Sequence, residues 1–100
     1  MKTTTKIEEL RKKARRLRLP ENCTPEELET AFNYSKFLQF GDMVLMAGYH
    51  YYDADENGYY GAIYQFTSPK HTCEDEIKLV DISDGFFPDD GHAIQWAMTN

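Results

Sequence analysis

One hundred residues with 17 Asp or Glu against 11 Lys or Arg make a small acidic chain of net charge −6, of which 41% is hydrophobic and 14% aromatic. That length fits one domain with one modest hydrophobic core. Two cysteines are too few for a disulfide-stapled secreted scaffold, the basic start has no apolar stretch behind it to act as a signal peptide, and no run is long enough to cross a bilayer. The sequence reads as a cytoplasmic protein with free thiols.

Taken in chain order, the first element is a helix. Thr5-Lys-Ile-Glu8 fits a capping box, and Ile7, Leu10, Ala14 and Leu17 recur at helical spacing before Leu19-Pro20 ends the run. A second helix opens on Thr24-Pro25-Glu26-Glu27, with Thr24 as cap. Leu28, Ala31, Phe32, Ser35 and Leu38 share one face, Tyr34, Phe37 and Phe40 widen it, and Gly41 reads as its stop. Together the two make a helical hairpin over residues 1–40.

From Met43 the period changes to two. Met43 to Tyr52 and Tyr59 to Thr67 read as strands joined at Asp53–Gly58, with Asn57-Gly58 supplying the left-handed turn. Ile77–Ile82 is a third strand. The segment after Asp90 fits a short helix capped by that residue, with a strand as the alternative. The predicted fold is α+β: the N-terminal hairpin on one face of a three- or four-stranded antiparallel sheet, plus a short C-terminal element.

Charge is sorted along the chain. Residues 1–18 hold eight Lys or Arg against two Glu, a net of +6, whereas residues 41–100 hold eleven Asp or Glu against two Lys, a net of −9. Such a distribution steers partners rather than setting a fold. In the basic helix, Arg11, Arg15, Arg16 and Arg18 are candidates for phosphate contacts. Against that stands the pI of about 4.9, and the helix could equally lie against its own acidic body.

The acidic candidates fall in three groups: Asp53, Asp55 and Glu56 on one loop; Glu74, Asp75 and Glu76 before the third strand; and Asp84, Asp89 and Asp90 around Phe86 and Phe87. Gathered on one face, they would imitate a row of phosphates, with the aromatic rings as anchors. The plain alternative is a solubilising surface. Asp53-x-Asp55-x-Asn57-Gly58 also resembles the first half of an EF-hand loop, but Tyr64 stands where the closing Glu belongs, so a solvated turn is expected. His71-x-Cys73 is a single ligand pair, short of a zinc site, and no nucleophile or phosphate-loop motif occurs. No metal, cofactor or catalytic activity is expected.

In size and charge the chain is similar to the anti-CRISPR and anti-restriction proteins of phages and mobile elements. That likeness implies a non-enzymatic inhibitor whose acidic face docks on a basic protein or nucleoprotein complex. The alternative is a nucleic-acid-binding regulator acting through the basic helix.

Overall fold

Apolar residues in both phases of two long strands decide the architecture. The structure, a computed structural model, describes residues 2–31, 34–53 and 56–99, with side chains for 8–29, 36–50 and 58–99. The elements are α1 (Lys2–Leu17), β1 (Asn22–Cys23), α2 (Pro25–Ala31), β2 (Tyr34–Phe40), β3 (Met43–Asp53), β4 (Glu56–Phe66), β5 (Ile77–Ile82) and α3 (Asp90–Thr99). The strands form one antiparallel sheet of order β1-β5-β4-β3-β2. The α+β class and antiparallel sheet are as expected; the sheet has five strands.

The helical hairpin is replaced by a helix, a short strand, a two-turn helix and a long strand. Thr24 does cap α2. Its Oγ1 accepts from the Glu27 N–H at 3.1 Å, and Glu27 Oε1 accepts from the Thr24 N–H at 2.9 Å. The helix ends at Ala31, and Tyr34–Phe40 is a strand. Gly41 is therefore no helix stop. With φ +62° it takes the first central position of the two-residue hairpin turn Gly41-Asp42 between β2 and β3, and a glycine with that φ matches the strand twist.

α1 begins at Lys2, so Thr5 lies inside the helix rather than at its cap. Nothing in Lys2–Thr4 is a helix breaker. Its end is set by backbone geometry before Pro20 is reached. Arg18 adopts φ +59°, the Leu19 N–H donates to the Ala14 carbonyl at 2.8 Å, and the Arg18 N–H donates to the Arg15 carbonyl at 3.2 Å. This is a Schellman cap with its customary contact between the buried Leu19 and Ala14. Glycine is the usual occupant of the left-handed position. Arg18→Gly is therefore expected to stabilise the fold by about 1 kcal/mol, raising the thermal midpoint by about 4–8 °C. A melt followed by circular dichroism that shows no rise would remove the strain assigned to Arg18.

The helices cover both faces of the sheet, not one. Leu10, Ala14 and Leu17 of α1 and Leu28 of α2 pack on Val44, Met46, Tyr60, Ala62, Tyr64 and Phe66. On the opposite face, Ile94, Trp96 and Ala97 of α3 pack on Met43, Leu45 and Ile63. The reason is compositional: Met43–Ala47 and Ala62–Tyr64 are apolar at every position, so neither face can be left to water. Gly61, on the α3 side, lets that helix approach closely; a Cβ there would stand 2.6 Å from the Trp96 ring and 2.8 Å from the Ala93 carbonyl oxygen.

Two local expectations move. β3 runs to Asp53 and β4 begins at Glu56, with residues 54–55 outside the described residues, so Gly58 sits in β4, with φ +152° beside a register shift between His50 and Asp53. The C-terminal element is a helix, but its cap is Asp89, whose Oδ1 accepts from the His92 N–H at 2.8 Å. In β5, Ile77, Leu79 and Ile82 all reach the core because an irregularity at Val80 resets the phase.

Candidate nucleic-acid interface

The packing of α1 determines which of its cations face outward. Leu10, Ala14 and Leu17 form the inner stripe, which turns Lys12, Arg15 and Arg16 to the solvent side. The flanks are occupied. Arg11 Nε donates to Glu21 Oε1 at 3.0 Å. On the other side Lys13 Nζ pairs with Asp84 and approaches the Ile82 carbonyl at 3.5 Å. Lys13, by donating to Asp84 and by its charge, holds that carboxyl below the usual carboxylate range. Arg18 is exposed at the cap. All four arginines expected at phosphates are exposed, and Arg11 also lies in the ion pair with Glu21.

A small cleft of about 40 Å³ separates Lys13, Arg16 and Leu17 from Tyr60 and the Ser83–Phe86 segment. Sequence reasoning missed Ser83 and Lys13 here. Ser83 is a buried polar residue whose Oγ accepts from the Gly61 N–H at 3.1 Å and donates to the Gly85 carbonyl at 3.0 Å. Nothing but its place just after a strand end distinguishes it in the sequence. A longer groove on the far side of α1 mixes Arg11 and Lys78 with Glu21 and Glu76, so it offers no surface of one sign.

The acidic candidates do not form one patch. Glu74, Asp75 and Glu76 precede β5, where Ile77 pairs with Phe66. Asp84, Asp89 and Asp90 flank Phe87, which bridges Tyr59 at the other end of β4. Seven residues of strand separate those ends, roughly 23 Å at ~3.3 Å per residue. Asp55 and the side chains of Asp53 and Glu56 lie outside the described residues; of the EF-hand-like segment, Asp53 ends β3 and Asn57 and Gly58 lie in β4. Several of the described carboxylates have local structural partners. Asp75 Oδ2 accepts from the Thr72 hydroxyl at 2.6 Å and from its N–H at 3.1 Å, which lowers its pKa. Asp89 is lowered in the same way by the His92 N–H and ring. Phe86 and Phe87 are half-buried: Phe86 packs on the main core and stacks on the buried His50 ring at 5.6 Å, and Phe87 bonds Tyr59 through its backbone.

Among the described residues, no group of three or more His, Cys, Asp or Glu could hold a metal ion. His71 stacks on Phe66 at 4.8 Å, and its carbonyl accepts from Gln39 Nε2 at 3.2 Å. Both cysteines are free thiols. Burial, aided by Glu27, pushes the Cys23 thiol up to about 11, so it stays protonated and unreactive near neutrality. No helix is long and apolar enough to cross a membrane among the described residues.

Residues 19–100 match the family described as nucleotide modification associated domain 4. The chain belongs to that family. The match takes in every strand of this nucleotide modification associated domain, together with α2 and α3, and α1 lies outside it. No curated protein and no solved structure matches the chain.

Proposed function

We propose that this domain is a non-enzymatic nucleic-acid-binding module that serves a nucleotide-modifying system, with α1 making the phosphate contacts. The observation that carries the reading is that Lys12 and Arg15 stand exposed on the outer side of the helix, opposite its apolar stripe. The family description, with its reference to nucleotide modification, supports the setting of the domain and not the role of α1, which precedes the matched residues. The net charge of −6 is compatible with it. A polyanion repels the acidic body and attracts the basic helix, so the field orients the domain with α1 toward the phosphates.

Fluorescence anisotropy with labelled single- and double-stranded DNA and RNA tests this at ~50 mM salt, where phosphate contacts register strongly. The expected result is salt-sensitive binding to at least one of these. In Lys12→Glu/Arg15→Glu, the slope of log affinity against log salt should fall by about 1 for each lost contact. Absence of binding by the unaltered chain, or an unchanged slope in the variant, overturns the reading.

A second reading draws on the loop that brings Asp84, Phe86, Phe87, Asp89 and Asp90 together: inhibition of a host nucleic-acid-binding complex by docking on its basic surface. It supposes no affinity for nucleic acid. Instead it requires salt-sensitive capture of a basic nucleoprotein, lost when Asp90 is reversed to Lys.

A further inference from the structure

We infer that β2 is a self-association edge, through which a second copy of this chain extends the sheet. β2 closes the sheet on one side, and the partner assigned to it is β3. An edge strand presents a row of backbone donors and acceptors suited to another strand, and natural edges are usually blunted by charge, proline or bulges. This one is poorly blunted. Tyr34–Phe40 contains no proline and no carboxylate, and its single charge is Lys36. The register shift is confined to Tyr34/Lys36, and Lys36 to Phe40 runs regularly against Ala47 to Met43.

The same strand exposes apolar surface. Phe40 is 63% and Leu38 38% exposed. Leu38 stands opposite Leu45 and Phe40 opposite Met43, which places both on the α3 face of the sheet. Met98 of α3 is 56% exposed. An open backbone edge and uncovered side chains therefore coincide at β2.

Charge and symmetry select a second copy as the occupant. The acidic body repels its counterpart on another copy, whereas this strand carries no negative charge. The regular segment Lys36–Phe40 is centred on Leu38. Antiparallel pairing about a two-fold axis there sets Leu38 against Leu38 and Lys36 of one protomer against Phe40 of its partner. The two cations are kept apart, and each ammonium lies beside a ring it can cover. The result is one continuous ten-stranded sheet from two five-stranded ones, within the usual limit for open sheets of about ten.

Sedimentation equilibrium on the full chain, over micromolar to millimolar protein, tests the inference with two variants of exposed residues. The unaltered chain should dimerise. Leu38→Glu sets like charges opposite each other on the axis and should raise the dimer dissociation constant at least about tenfold. Phe40→Glu faces Lys36 of the partner instead and should leave a dimer of comparable or greater affinity. Circular dichroism melts confirm that each variant is folded, and amide exchange over Lys36–Phe40 should slow as protein concentration rises. A chain monomeric throughout that range, or a Leu38→Glu variant that dimerises like the parent, overturns the proposal. Equal weakening by the two variants overturns the register through Leu38.

Discussion

Gly61→Val is expected to cost this protein a large part of its stability. Gly61 lies in β4 opposite Ala47, with α3 resting on its bare Cα. A Cβ would come within 2.6 Å of the Trp96 ring and 2.8 Å of the Ala93 carbonyl oxygen, and the second of these is helix backbone that no rotamer change can move. The strand cannot retreat either, because the Gly61 N–H donates to Ser83 Oγ at 3.1 Å and the Gly61 carbonyl accepts from the Ser83 N–H at 2.9 Å. The helix must lift, which uncovers Leu45 and Ile63. Overpacking of this kind costs about 1–3 kcal/mol, and loss of the α3 contacts adds to it. At about 4–8 °C per kcal/mol for a domain of this size, the melting midpoint should fall by well over 10 °C. Gly41→Ala makes the control. Nothing lies within 4 Å of a Cβ at Gly41, so only its φ of +62° is penalised, at about 1 kcal/mol. If Gly61→Val melts no lower than Gly41→Ala, α3 does not pack on the sheet as described.

The elements legible in the sequence are those whose signal is local. Ile77–Ile82 is rich in strand-favouring residues and bounded by polar turns, and the Thr24–Glu27 box is a complete reciprocal pair, so both appear where expected. Tyr34–Phe40 is different. Its apolar residues at 34, 37, 38 and 40 suit a helical stripe over so short a span, and the cue that decides for a strand is the Gly41-Asp42 turn pairing it with β3, a tertiary fact. The second covered face was also legible in principle, since Met43–Ala47 is apolar at every position and not at alternate ones.

Charge was harder to read because linear clustering does not fix spatial clustering. Glu76 and Asp84, the near ends of the two acidic groups, are eight residues apart in the chain, yet β5 carries the groups to opposite ends of the sheet. On α1 the reverse holds. The 3.6-residue period and the apolar stripe already separate outward Lys12, Arg15 and Arg16 from the flanks, but the flank partners Glu21 and Asp84 come from distant turns that only the fold brings near.

Tyr64 provides the other large effect and couples stability to pH. Its side chain is fully buried at the centre of the main core, paired across the sheet with Val44 and Leu79, and its hydroxyl donates to the Pro20 carbonyl at 2.8 Å. It thereby ties the segment after α1 to the sheet. Tyr64→Ala should cost about 3–5 kcal/mol, as for other large aromatic truncations. Tyr64→Phe keeps the ring and loses the hydroxyl, for about 1–2 kcal/mol with the Pro20 carbonyl left unpaired. Burial first, and then Cys23 and Tyr60 nearby, push the Tyr64 phenol far above its ordinary value. A pKa raised in the folded state means that the unfolded chain loses this proton first, so the stability is fully present below pH ~10 and declines as pH rises beyond it. Denaturant titrations from neutral to alkaline pH should therefore show the unaltered protein falling more steeply above pH ~10 than Tyr64→Phe, although the variant starts lower. Parallel curves would mean that Tyr64 ionises as readily in the folded domain as outside it, which is incompatible with a phenol sealed beneath Pro20.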